Sequence, residues 1–286
     1  MTAPLVELSD IRKSFGAVTA LRGVSLRVMP GETFALLGDN AAGKSTLMKV
    51  LTGVHQPDKG EIAMDGEEVV FSSPAVSRSR GIEMIYQDFA LADNLDVRTN
   101  IFLGREPRKN ILGPLLRIVD KKHMEREAKR VLDSLDLPIN PRLKVRRLSG
   151  GQRQGVAIGR ALAFDARLII MDEPTASLSV AKVDKLIEVT QRLKELGIAV
   201  IIITHRLDEA FAVADRFAVM RMGEVVGEFA NGEASETQVA HLISHGTMGD
   251  ITHGPHDRRL IGSTKAPAVA PAPEPADDSS TETDES

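Results

Sequence analysis

Cysteine and tryptophan are absent from this chain, tyrosine occurs once, and all aromatics together make up 3% of it. Without thiols the chain forms neither disulfides nor a thiolate metal site. Disulfide-stapled folds are excluded, and a reducing compartment is compatible. Long apolar runs are missing as well. The most apolar stretch, Ile198 to Ile203, falls far short of the roughly 20 residues a helix needs to span a bilayer. Any role at a membrane is therefore expected to pass through a partner. Met1-Thr2-Ala3-Pro4-Leu5-Val6-Glu7 has neither a basic nor an apolar leader region, and no secretory signal is expected in it. Excess basic charge is also lacking. The net charge is −4, and much of it is local: Ser263 to Ser286 holds Glu274, Asp277, Asp278, Glu282, Asp284 and Glu285 against Lys265. The remaining body is near neutral, and nothing in that balance calls for nucleic acid.

The 286 residues are 42% apolar and 27% charged, which is ordinary for a globular protein. They suffice to bury a core, as one large domain or a domain with a lobe. The organising stretch is Gly38-Asp39-Asn40-Ala41-Ala42-Gly43-Lys44-Ser45, which fits the P-loop pattern G-x-x-x-x-G-K-[ST]. Glycines at both ends let the chain curl, so that successive N–H groups point inward at phosphate oxygens. Lys44 adds a point charge for the β- and γ-phosphates, and the Ser45 hydroxyl suits Mg²⁺. The context agrees. Thr33–Leu37 reads as a buried strand, and Ser45–Leu51 as a helix whose N-terminus faces the anion. The pattern implies a nucleoside triphosphate as ligand.

Leu5–Ile11 and Val24–Val28 alternate as strands, and Pro30-Gly31 turns the second into the P-loop strand. Between them, Phe15 offers a flat aromatic face either to the core or to a nucleobase. Asp65-Gly66, between Glu61–Met64 and Glu67–Val70, predicts a hairpin with a type I′ turn. Ile82–Tyr86 is a further short strand. Gln87 ends it, either as a solvated loop residue or as an amide oxygen turned toward Mg²⁺ and a water. From Asp88 to about Phe164 the pattern is mostly helical. On Asp120–Leu135, Lys121, Lys122, Arg126, Lys129 and Arg130 form a basic face. Glu125 and Glu127 interrupt it, and a solvated helix face is the expectation.

An apolar strand then ends in Asp172 and Glu173, and Gly197 stops a helix over Val180–Leu196. A buried strand, Ile198–Ile203, leads to Thr204-His205 and a helix over Leu207–Ala214. A hairpin turns at Met222-Gly223, and a last helix covers Glu236–Ser244. The alternation argues for a partly parallel α/β sheet with a helical stretch inserted between two strands. Beyond Ile251 the chain turns rich in proline and alanine and then acidic, and residues 251–286 are expected to be disordered. His241, His245, His253 and His256 have no carboxylate or cysteine spaced with them as a further ligand, so no metal site is expected there.

Asp172, at the end of an apolar strand, is the expected partner of a P-loop, holding Mg²⁺ directly or through water. Glu173 follows it and can orient and deprotonate an attacking water. An acidic pair there also suits a helix N-terminus, but the P-loop upstream favours catalysis. His205 follows the next buried strand, where an imidazole can reach the γ-phosphate and hold the water in line. Leu148-Ser149-Gly150-Gly151-Gln152 opens a helix running through Ala161, and its hydroxyl and N–H groups make a second anion cradle. One P-loop and one such cradle are both used if two copies pair head to tail. Each nucleotide then lies between the P-loop of one copy and Leu148–Gln152 of the other.

In this order the motifs resemble those of an ATP-binding cassette ATPase over about residues 5–250. The resemblance implies an α/β fold, a P-loop NTPase (RecA-like) core over about 1–88 and 165–250. An N-terminal antiparallel β subdomain and an inserted helical subdomain over about 89–164 belong to it. It implies ATP and Mg²⁺ as ligands. Phe15 would stack on adenine, and residues 38–45 with Thr46 would hold the phosphates. Ser149, Gly150, Gly151 and Gln152 would close on the nucleotide of a second cassette, an identical copy being expected. Ser45, Gln87 and Asp172 would hold the metal, and Lys44, Gln87, Glu173 and His205 would act in hydrolysis.

Gly38-Asp39-Asn40, Asn100–Glu106 and Thr204–Glu209 resemble cassettes of bacterial monosaccharide importers of the ribose, xylose and fructose kind. That implies membrane permease subunits as partners, docking near Gln87 to Glu106, and indirectly a solute-binding protein. The chain would sit on the cytoplasmic face of the membrane. A soluble cassette acting on ribosomes or DNA, or an importer subunit for another solute, is the alternative. Two positions depart from the family. Ala41 stands where most members have glycine, and Ser179 where aspartate is usual, an aspartate that sugar-importer cassettes often lack.

Overall fold

The computed structural model describes residues 3–110, 117–174 and 180–247. Strands β1 (Val6–Phe15) and β2 (Val18–Val28) form a long antiparallel hairpin, joined on its β1 edge by β4 (Lys59–Met64) and β5 (Glu67–Glu68). Both hairpin strands run longer than alternation predicts. Pairing persists to Phe15 opposite Val18, through register shifts that break the apolar periodicity on which the prediction rests. The turn between β4 and β5 has φ 55° at Asp65 and 82° at Gly66, the left-handed pair that a type I′ turn requires.

The second sheet has the order β12-β11-β3-β10-β9-β6. Its members are β3 (Thr33–Leu37), β6 (Ile82–Ile85), β9 (Leu168–Asp172), β10 (Ala199–Ile203), β11 (Arg216–Arg221) and β12 (Glu224–Ala230). All neighbours are parallel except β11 and β12. β3 and β10 are buried at every position, as central strands covered on both faces must be. The uniform apolar runs still have two faces. Phe34, Leu36, Ile201 and Ile203 point into a core shared with the antiparallel sheet and α1 (Lys44–Leu51). Val200, Ile202, Ile169 and Met171 point the other way, onto α5 (Gly150–Leu162) and α6 (Val180–Glu195). Ala35 and Leu37 share that second face with α7 (Leu207–Val213) and α8 (Glu236–His245).

Before β6 lies a short helix, α2 (Pro74–Ser79), with Pro74 in its first turn. Between β6 and β9 the chain leaves the sheet through α3 (Val97–Ile101), α4 (Lys121–Ser134) and α5. This is the α/β fold of a P-loop NTPase core, with an antiparallel sheet and a mainly helical insertion. The insertion is less helical than its pattern predicts. β7 (Arg108–Asn110) pairs with β8 (Arg117–Val119). These strands are exposed and charged, so no apolar alternation announces them; Gly113-Pro114 in the sequence between them is the one turn signal. On α4, Lys129 pairs with Asp133, and Arg126 and Arg130 pair with Glu127. The α8 histidines His241 and His245 stack with ring centroids 4.2 Å apart. Among the described residues no group of three or more His, Cys, Asp or Glu side chains is placed to hold a metal ion. His253, His256, Ser179 and the expected tail lie outside the described residues.

Candidate nucleotide site

The phosphate loop takes its shape from two glycines and one alanine. Gly38 has φ 142°, and a Cβ there would fall 2.2 Å from the Met220 carbonyl oxygen. Gly43 has φ 104°, and a Cβ would meet the Ala20 carbonyl oxygen at 2.8 Å. Neither position tolerates another residue. Helix α1 begins at Lys44, and its first backbone bond runs from Leu47 N–H to Gly43 O at 2.9 Å. The N–H groups of Lys44, Ser45 and Thr46 precede that bond and are directed as an anion cradle. Lys44 is buried, and its ammonium donates to the carbonyls of Gly38 (2.6 Å) and Asp39 (2.9 Å). Burial lowers its pKa, opposed by Glu173, Asp39 and Asp172.

Ala41 sits at φ 66°. A left-handed alanine costs about 1–2 kcal/mol, partly offset in any glycine variant by the greater chain entropy of glycine. Ala41→Gly is therefore expected to raise the melting temperature of the nucleotide-free protein by about 1–3 °C in a thermal scan. A fall would show that the alanine carries no strain.

The cavity beside this loop has a volume of about 600 Å³. Asn40 to Thr46 form one wall, and Asp172 and Glu173 form another. The acids arrive there through sheet register. Asp172 pairs with Ile203 across β9 and β10, and Glu173 N–H donates to Ile203 O at 2.8 Å. His205, two residues past Ile203, then places Nδ1 3.0 Å from Glu173 Oε1. Glu173 itself is held at φ 46°, an unfavourable conformation of the kind that clusters at functional sites. The Asp172 carboxyl is pushed up by burial and by the Glu173 charge, with Lys44 and Lys49 opposing. Asp172 and Glu173, with the Ser45 hydroxyl on the same cavity, make an all-oxygen donor set suited to a hard divalent cation.

Other residues picked out from the sequence lie elsewhere. Phe15 is 44% exposed, with its ring edge-on to His55 at 5.1 Å. It is not part of the cavity wall, but its cross-strand partner Val18 is. Gln87 is exposed on the turn after β6 and outside the wall. Ser149 caps α5, accepting from Gln152 N–H while the Gln152 side chain accepts from Ser149 N–H. Gly150 and Gly151 open the same helix, and none of these four residues lines the cavity. Motif reading overlooks Val18, Thr19, Ala20, Arg22, Met222 and Gly223, which with Ile203 form the remaining wall. Arg22 N–H bonds Gly223 O, and Gly223 N–H bonds Ala42 O, stitching two hairpins to the loop. Nothing in those residue types signals the role; Met222-Gly223 reads only as a turn. Asn100 is fully buried, its amide bound to Ala92 and Asp96 backbone groups. Of the Asn100–Glu106 segment, Leu103 to Arg105 reach a surface groove.

A phosphate cradle at a strand–helix junction, with an acid pair and a histidine converging on it from neighbouring strands, defines a nucleoside-triphosphate hydrolase of the P-loop class. The family described as ABC transporter matches residues 21–176, more than half of the chain. This chain belongs to that family and is an ABC-type ATPase. It is 45% identical over 251 residues to the xylose/arabinose import ATP-binding protein of Sulfolobus acidocaldarius, spanning 87% of this chain and 98% of that one. It is 46% identical over 240 residues to a ribose import ATP-binding protein of Rubrobacter xylanophilus. That match spans 84% of this chain but only 47% of the relative, about half its length. The crystal structure of the ADP conformation of an ABC-transporter cassette superposes with a TM-score of 0.72 at 29% identity, covering 85% of this chain and 96% of that one.

Proposed function

We propose that this chain hydrolyses ATP to power uptake of a monosaccharide through a membrane permease. The contact of His205 with Glu173, which lines the phosphate-loop cavity, carries the hydrolytic part of this reading. The substrate class rests on the full-length similarity to the xylose/arabinose import protein. Asn40 to Thr46 bind the phosphates, and Lys44 leaves its two carbonyl partners for the γ-phosphate oxygens. Glu173 takes a proton from water as the water oxygen attacks the γ-phosphorus. The bond from that phosphorus to the bridging oxygen breaks, and ADP keeps the electron pair. His205 keeps Nδ1 on Glu173, leaving Nε2 to face the phosphate. Ser45 and Asp172, with Gln87 as a further candidate ligand, would hold Mg²⁺, which when bound neutralises charge on the phosphate oxygens. Phe15 would stack on the base beside Val18.

Ser149, Gly150, Gly151 and Gln152 act on the nucleotide of a second, identical cassette, which fits their place on a helix end away from their own chain's cavity. No helix among the described residues is long and apolar enough to cross a membrane. The partner therefore supplies the pathway, and a solute-binding protein would deliver the sugar to it. A groove of about 300 Å³, rimmed by exposed Tyr86 and Leu103 with Arg105, suits a permease segment between the sheet core and the insertion. Deleting the protein is expected to abolish ATP-driven uptake of one or a few monosaccharides and to spare amino acids. A panel of labelled solutes decides it. Intact uptake of every sugar with loss of another solute would move the chain to a different importer class and leave its ATPase assignment standing.

A further inference from the structure

Glu209, in the first turn of α7, is only 1% exposed. A buried carboxylate is costly unless something requires it, and an apolar residue would fill the same space freely. Its Oε2 accepts a hydrogen bond from the Thr204 hydroxyl at 3.0 Å. Its Oε1 has no hydrogen-bond partner. The Arg206 guanidinium stands 3.7 Å from Oε1 and is itself bound to Asp208. Burial raises the Glu209 carboxyl above its ordinary value, with the Thr204 hydrogen bond opposing. The Thr204 hydroxyl does a second job, accepting from Arg206 N–H at 3.0 Å. A hydroxyl that donates to Glu209 presents its lone pairs to that N–H. Residues 204 and 206 are thus tied to each other through one oriented hydroxyl, and the residue between them is His205.

We infer that Glu209 is a positioning residue for hydrolysis: through Thr204 it locks the backbone on both sides of His205 and so keeps the imidazole on Glu173. The inference rests on the reading of Glu173 and His205 as the hydrolytic pair. Glu209 touches neither nucleotide nor water. Its task needs a hydrogen-bond acceptor at Oε2, which an amide oxygen also supplies, and not a negative charge.

Steady-state ATPase kinetics of the full chain test it, with a melting curve for each variant. Glu209→Ala and Thr204→Val should each lower kcat about tenfold or more, since small misplacements of a reacting group are amplified in rate. The KM for ATP should stay within about twofold, because phosphate binding is untouched. The double variant should be no slower than the worse single one, as expected for two members of one chain of bonds. Glu209→Gln should recover most of the lost kcat. Thr204→Val is nearly isosteric and is the arm to read if Glu209→Ala does not fold. Wild-type kcat in Thr204→Val, or a Gln variant as slow as the Ala variant, would overturn the inference. His205→Ala separates the two readings. If it turns over normally, the hydrolytic pair itself is wrong. If it is slow while Thr204→Val is not, only the role of Glu209 fails.

Discussion

Glu173→Gln is expected to bind ATP within a few-fold of wild type and to lose steady-state hydrolysis by about 10²–10⁴-fold, the usual worth of a positioned general base. Glutamine keeps the shape of the side chain and an oxygen for His205 Nδ1, now 3.0 Å away. It cannot take the proton of the attacking water. The backbone does not depend on the carboxylate, because Glu173 N–H is already bound to Ile203 O. The phosphate cradle, Asn40 to Thr46, is unchanged. ATP that binds and is not hydrolysed should hold two copies together, and size-exclusion chromatography with ATP should show a stable dimer. Turnover near wild type would remove Glu173 as the base.

Lys44→Ala should have the opposite signature, a loss that begins at binding. The ammonium lies buried on the Gly38 and Asp39 carbonyls, at 2.6 and 2.9 Å, and belongs to the phosphate wall itself. Its removal leaves the γ-phosphate uncompensated in a cavity that already holds Asp172 and Glu173. A hydrogen bond to a charged group contributes about 1.5–3 kcal/mol, so ATP affinity should fall about tenfold to a hundredfold in calorimetry. The same loss removes a cation that lowers the Asp172 carboxyl. Normal ATP binding by this variant would end the reading of the loop as a triphosphate cradle.

What the sequence determined by itself is local. A phosphate loop is a series of backbone dihedrals, and glycines at 38 and 43 with lysine between the second and Ser45 specify those dihedrals wherever the segment is placed. The cap at Ser149 and the turn at Asp65-Gly66 are set within four residues, and both stand where the sequence puts them. The apolar runs of β3, β9 and β10, four or five residues each, mark buried strands for the same reason.

Tertiary structure decided which of these pieces meet. Glu173 and His205 are far apart in sequence, and their contact follows from parallel pairing of Asp172 with Ile203. A uniform apolar run carries no mark of its neighbour or its register, because either strand face satisfies the same demand for burial. The same is true of Val18, Met222 and Gly223. Their side chains are ordinary, and they border the cavity only because two hairpins converge on the phosphate loop. Asn100 reads as part of a family surface, yet its amide is spent on the backbone of Ala92 and Asp96 in the interior. Local chemistry chose the loop, and the burial of the whole sheet, which no single segment encodes, chose what faces it.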